Sequence, residues 1–81
     1  MYLKRLKDLR EDNDLTQATI AKFLDITRPQ YSLYETGKRD IPVDLLRLLA
    51  KFYNTSIDYI VGETVITQRY PDVSKKKKYF N

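Results

Sequence analysis

Apolar residues recur at helical intervals from the start of the chain. Leu3, Leu6 and Leu9, with Tyr2 beside them, fall on one side of a helix, while Lys4, Lys7 and Asp8 point elsewhere. The spacing predicts a first helix running to about Asp12. It also leaves Arg10 on the apolar stripe, seven residues beyond Leu3, where an unpaired charge is costly and an acidic partner is expected. Asp12-Asn13-Asp14 closes that helix in a polar turn. Thr16 is then placed to cap a second helix whose inward side reads Ile20, Ala21 and Leu24, with Ala21 as the small contact residue. Asp25 sits where the chain must turn, tolerating the left-handed region better than most residues, and Ile26 fills the corner. Thr27 caps a third helix, Arg28 to about Thr36, with Pro29 in the first turn, where its missing donor does no harm. Tyr31 and Tyr34 are predicted to face inward. Gly37 supplies the stop.

Past the polar connection Lys38-Arg39-Asp40, Pro42 can open a fourth helix with two apolar stripes: Val43, Leu46, Leu49, Ala50 and Tyr53 on one, Leu45, Leu48 and Phe52 about a third of a turn away. Asn54 can end it in a left-handed conformation. Ser56 caps a last short helix, Ile57 to Val61, closed by Gly62. Beyond Gly62 the periodicity fades. Val65, Ile66 and Tyr70 are read as a short strand or a packed arm, and the lysine run with Tyr79, Phe80 and Asn81 as a mobile tail. The expectation is an all-α domain of five helices over residues 1–62, followed by an extension over 63–81 with a basic tail.

At 81 residues the chain has room for one modest core. With no cysteine and no histidine it lacks a disulfide framework and the usual zinc ligands, which suits a reducing compartment. No charged-then-apolar leader and no run near the roughly 18 residues of a membrane span is visible, so a cytoplasmic protein is expected, with no membrane partner. The net charge of +4 misleads on its own. Residues 1–62 carry ten Lys/Arg against nine Asp/Glu, whereas residues 63–81 carry five against two, so the excess reports mainly Lys75 to Lys78. Any case for a charged partner must rest on local placement. No cofactor is expected, and catalysis is disfavoured: the one carboxylate cluster, Glu11, Asp12 and Asp14, makes no site, and its likeness to a calcium loop lacks the following glycine and the distal glutamate.

From Leu15 to Gly37 the elements of a helix-turn-helix occur in order: a capped first helix, a small contact residue, a turn that admits a left-handed backbone, and a second capped helix. Within that span Thr16-Gln17, Ile20-Ala21, Leu24, Ile26-Thr27, Tyr31, Tyr34-Glu35 and Gly37-Lys38 resemble the phage repressor and Cro, or Xre, type. The likeness extends through Asn54-Thr55-Ser56-Ile57-Asp58-Tyr59 to Gly62 and covers about residues 2–62. The resemblance implies a repressor/Cro-like five-helix fold in a bacterial or phage-encoded protein. It implies sequence-specific binding to double-stranded DNA, usually as a dimer, and commonly repression, sometimes activation, of transcription. It also implies that Arg10 pairs with Glu35. Two departures stand out: Asp25 replaces the turn glycine, and Pro29 and Leu33 occupy base-facing positions without offering side-chain hydrogen bonds.

On this reading the third helix turns Arg28, Pro29, Ser32 and Leu33 toward base edges, with Gln30 on one flank. Arg28 is the best candidate base reader, with a phosphate contact as its alternative: a guanidinium bonds in bidentate fashion to guanine O6 and N7, worth roughly 1 to 3 kcal/mol of discrimination, while Pro29 or Leu33 can touch a thymine methyl. Thr16, Gln17, Thr27, Gln30, Lys38 and Arg39 are the expected phosphate contacts, Gln17 aided by the helix N-terminus. Each has a plainer reading as cap or solvated surface. Leu45, Leu48 and Phe52 exceed what one core stripe requires, and so predict a homodimer surface; the alternative is a fold-back by Val65 and Ile66. Lys75 to Lys78 read as a solvated tail or a sequence-independent phosphate arm. The rival function is an antitoxin or adaptor that keeps the fold and uses its apolar surface for a protein partner.

Overall fold

The computed structural model describes residues 1–67. Five helices follow in order: α1 (Lys4–Asp12), α2 (Gln17–Phe23), α3 (Arg28–Glu35), α4 (Val43–Phe52) and α5 (Ile57–Ile60). Three begin on a hydroxyl that satisfies an otherwise orphaned backbone donor: Thr16 Oγ1 accepts from Thr19 N at 3.1 Å, Thr27 Oγ1 from Gln30 N at 3.2 Å, and Ser56 Oγ from Tyr59 N at 3.0 Å. Thr27 and Gln30 form a full capping box, since Gln30 Oε1 accepts in turn from Thr27 N at 2.9 Å. Pro42 opens α4, as its fixed φ allows.

Four of the helices stop by one device. A residue with positive φ bends the chain, and the amide after it donates back five residues: Leu15 N to Arg10 O, Ile26 N to Ala21 O, Thr55 N to Ala50 O and Glu63 N to Asp58 O, at 2.8 to 3.0 Å. The bending residues are Asp14 (φ 56°), Asp25 (φ 58°), Asn54 (φ 54°) and Gly62 (φ 87°). Short Asx side chains tolerate this region, which is how Asp25 serves the turn between α2 and α3. Gly37 (φ 80°) ends α3 for a further reason: a β-carbon there would lie 2.8 Å from Tyr2 Cα.

Leu3, Leu6, Ile20, Leu24, Tyr31, Leu46, Leu49 and Ile60 are buried together, with Ala21 and Ala50 at close approaches. α2 packs against α3, α4 against α5, and α1 contacts both α3 and α5. Several expectations are corrected. Tyr2 lays its backbone along Gly37 and exposes its ring, Tyr34 is only half-buried, and Val43, the first residue of α4, is largely exposed. Leu45 is half-buried and packs on the core edge. Val65 and Ile66 are exposed, so they neither form a strand nor cover α4. The extension is instead anchored at its root, where Arg5 Nη1 donates to Tyr59 O at 2.7 Å and Thr64 O at 2.5 Å, with its guanidinium 4.1 Å from the Tyr59 ring centroid. Tyr70 and the segment Lys75 to Asn81 lie outside the described residues. None of the helices among the described residues is long and apolar enough to cross a membrane.

Candidate nucleic-acid interface

α3 is held from behind by an ion pair that α1 supplies. Arg10 Nε donates to Glu35 Oε2 and Nη2 to Glu35 Oε1, both at 2.9 Å, in the forked geometry that suits a carboxylate. The side chains are 13% and 3% exposed. Arg10 Nη1 also donates to Leu15 O at 2.8 Å, so one guanidinium ties α1, the connection to α2, and the last turn of α3. Gln17 Nε2 adds a 3.2 Å bond to Glu35 Oε1 from the first turn of α2. Burial pushes the Glu35 carboxyl up, but the hydrogen bonds from Arg10 and Gln17, the nearby Tyr31 hydroxyl and the guanidinium charge outweigh it, holding the group below the ordinary carboxylate range. The hydrogen bond to Glu35 raises Arg10 against its own desolvation.

Two phenols border this cluster. The Tyr31 hydroxyl is buried beside Glu35 but outside hydrogen-bond geometry, and burial, reinforced by the carboxylate, drives its acidity far down. Burial likewise pushes Tyr53 up to about 12, with Arg10 opposing and Glu35 adding. Both rings are therefore neutral packing elements at physiological pH, and Tyr31 is unavailable for stacking on a base.

With Tyr31 and Glu35 turned inward, the helical period sets Pro29 and Leu33 on the opposite side of α3, Ser32 on one flank and Gln30 on the other, while Arg28, seven positions before Glu35, stands at the open first turn of the helix. Arg28, Pro29 and Gln30 are exposed, while Ser32 and Leu33 are half-buried. Arg28, at the first helical position, makes no salt bridge among the described residues. Lys38 and Arg39 are exposed just past Gly37, and Arg39 N donates to Leu33 O at 3.1 Å, folding this basic loop back on the end of α3. Thr16 and Thr27 are exposed caps. Gln17 and Gln30 already have protein partners, Glu35 and Thr27, which no reading of single positions revealed. An open cleft of roughly 540 Å³ lies between α1, α2 and the end of α3, with Lys7, Gln17 and Thr36 on its walls.

Two residues were missed from sequence. Arg5, the anchor of the extension, had no signal beyond being a cation within an amphipathic helix. Phe23 packs on Phe52 at 4.7 Å between ring centroids, and its one signal is a large aromatic lying off the inward set Ile20, Ala21 and Leu24. No cluster among the described residues could hold a metal ion.

A helix-turn-helix family model matches residues 6–60, most of the described chain. The chain belongs to this family. It is 39% identical over 64 residues to the HTH-type transcriptional regulator YobD of Bacillus subtilis, covering 79% of this chain and 57% of that one. It is 37% identical over 63 residues to the antitoxin PezA of Streptococcus pneumoniae, covering 78% of this chain and 40% of that one. The chain thus spans little more than half the length of YobD and less than half that of PezA. A transcriptional regulator from Listeria innocua superposes with a TM-score of 0.72 at 24% identity over 98% of this chain and 72% of that one, and so shares the all-α fold.

Proposed function

We propose that this chain is a sequence-specific double-stranded DNA-binding transcriptional regulator, acting as a cytoplasmic repressor that reads the major groove with α3. Residues 1–62 form the DNA-binding unit and residues 63–81 an extension of it. The observation that carries this reading is the bracing of α3: Arg10 and Gln17 grip Glu35 from one side, leaving Pro29 exposed and Leu33 half-buried on the opposite side, Ser32 half-buried on a flank and Arg28 exposed at the first turn. A rigid helix of that width fits the groove, and ordering it in advance lowers the entropic cost of docking. Arg28 reads a guanine, Leu33 or Pro29 meets a thymine methyl, and Lys38, Arg39, Thr16 and Thr27 hold phosphates. Gln17 and Gln30 serve through their free amide atoms while keeping their internal bonds. Two copies related by a two-fold axis present two such helices to half-sites about one DNA turn apart.

The test begins by selecting bound duplexes from a random pool. A symmetric consensus is expected. Arg28→Ala should then weaken binding to that consensus by at least tenfold and relax one base pair in each half-site, since a bidentate contact carries roughly 1 to 3 kcal/mol. Its folding should be unaffected, because the side chain is exposed. Unaltered affinity and selectivity in a measurable complex reject α3 as the reader. The likeness to PezA favours a second reading, a protein-binding antitoxin or adaptor on the same scaffold. That reading gains if no duplex is enriched from the pool.

A further inference from the structure

The first turn of α1 has no side-chain cap. Leu3, at the N-cap position, offers no hydrogen bond from its side chain, so the start of this nine-residue helix depends on what packs against it. Leu3 itself is buried in the core. Arg5, the second residue of α1, supplies the other hold: Nη1 donates to Tyr59 O at 2.7 Å and to Thr64 O at 2.5 Å, with the guanidinium over the Tyr59 ring. Arg5 forms no salt bridge among the described residues, so its side chain is committed to α5 and the root of the extension. On the other side of Leu3, the Tyr2 backbone lies against Gly37, the near approach that leaves no room for a β-carbon there. Gly37 opens the loop that carries Lys38 and Arg39, and that loop is closed by the bond from Arg39 N to Leu33 O. Residues 2–5 therefore run as a strap from the basic loop to the extension.

We propose that Arg5 is a positioning residue for the Lys38–Arg39 loop: by clasping Tyr59 O and Thr64 O it fixes the start of α1, and with it the Tyr2 backbone on which the loop is seated. It rests on the reading of Lys38 and Arg39 as phosphate contacts. The clasp also makes the loop answer to the extension. An uncapped helix start opens locally at small cost, so drawing Thr64 away from Arg5 loosens the first turn of α1, frees Tyr2 from Gly37 and slackens the basic loop. By linkage, DNA that orders the loop tightens the hold on the extension. Arg10 stands apart from this device. Five positions further on, it projects about 140° around the helix from Arg5 and holds Glu35, so the clasp can open with the brace of α3 intact. Phosphate grip is then lost while base reading is kept.

Amide hydrogen exchange of the full chain without DNA, followed residue by residue by NMR, compares wild type, Arg5→Met and Arg5→Lys. In Arg5→Met the Arg39 amide should exchange about fivefold faster, while Ile26, whose amide donates to Ala21 O in the turn before α3, keeps its wild-type rate. Arg5→Lys keeps the cation without the planar fork and should raise Arg39 exchange about twofold. On the duplex consensus selected by wild type, Arg5→Met should bind about fivefold more weakly, with a salt slope lower by about one, and should select the same bases. If Arg5→Met unfolds the chain, Arg5→Gln and Tyr59→Leu replace it, each expected to speed Arg39 exchange about twofold. An Arg39 amide that is unchanged, or that speeds up no more than Ile26, overturns the strap and leaves the DNA reader intact. Faster Arg39 exchange with an unchanged salt slope overturns its action on DNA. A wild type that enriches no duplex removes the DNA reading, and this proposal with it.

Discussion

Replacing Arg10 by methionine keeps most of the aliphatic stem and removes the guanidinium, a perturbation whose size follows from the geometry. Two charge-assisted bonds of 2.9 Å to Glu35 are lost, together with the 2.8 Å bond to Leu15 O. The carboxylate left behind is 3% exposed and keeps Gln17 Nε2 at 3.2 Å. Breaking a buried pair from one side costs about 3 to 5 kcal/mol when burial is complete. Arg10 retains some solvent contact, which places the expected loss near the lower end, about 3 kcal/mol. A domain of this size has roughly 4 to 12 kcal/mol in all. Urea unfolding at pH 7 should therefore show a large fall in midpoint with little change in slope.

The pH dependence makes the test sharper. In the wild type the folded-state pKa of Glu35 lies below its unfolded value, so the pair's contribution is complete above the unfolded pKa of about 4.3 and is lost as pH falls through the depressed folded value. Without Arg10, burial dominates and pushes the carboxyl up. The sign then reverses, and the variant gains stability as pH drops from neutral through that raised pKa. The gap between the two proteins should narrow steadily from pH 7 toward pH 4. A gap under about 0.5 kcal/mol at pH 7, or one that does not change with pH, would refute the view that this pair braces α3. Adding Glu35→Gln to Arg10→Met should restore part of the loss, because the stranded charge is gone.

Two further changes separate the local devices. Thr27→Ala removes the capping box at the start of α3 and should cost about 1 kcal/mol in urea unfolding; a neutral result would mean that Pro29 and tertiary packing fix that helix start unaided. Gly37→Ala and Gly62→Ala both force a β-carbon onto positive φ, yet only at Gly37 does the new atom meet backbone, 2.8 Å from Tyr2 Cα. Gly37→Ala should cost roughly 2 kcal/mol or more and Gly62→Ala about 1; equal losses would show that Tyr2 shifts without cost.

What the sequence disclosed was mostly local. Hydroxyls at Thr16, Thr27 and Ser56 announce helix starts because a cap bond spans three residues, and Asp25 and Asn54 announce turns because few side chains tolerate positive φ. The faces of α4 were less legible. A helical wheel gives angles between side chains but not the direction of the neighbouring helices, so the stripe that predicts burial for Val43 meets a residue that is largely exposed, while Leu45 on the other stripe is half-buried at the core edge. Gln17 illustrates a second limit: its amide suits a phosphate or a carboxylate equally, and the approach of Glu35 across two elements decides which it meets in the free domain. Phe23 is a third case, its partner Phe52 lying on another helix.

The composition of α3 shapes how such a protein can be selective. Pro29 and Leu33, opposite the buried edge, offer the groove apolar surface and no side-chain hydrogen bonds, which leaves Arg28 as the one side chain of that set able to make a forked contact with a base pair. At roughly 1 to 3 kcal/mol for such a contact, one half-site falls short of the about 4 to 10 kcal/mol that separates specific from non-specific binding in typical regulators. Doubling the reading through a two-fold partner closes most of that difference, and methyl contacts and DNA shape supply the remainder. Selectivity in this chain would then depend on assembly as much as on the recognition helix.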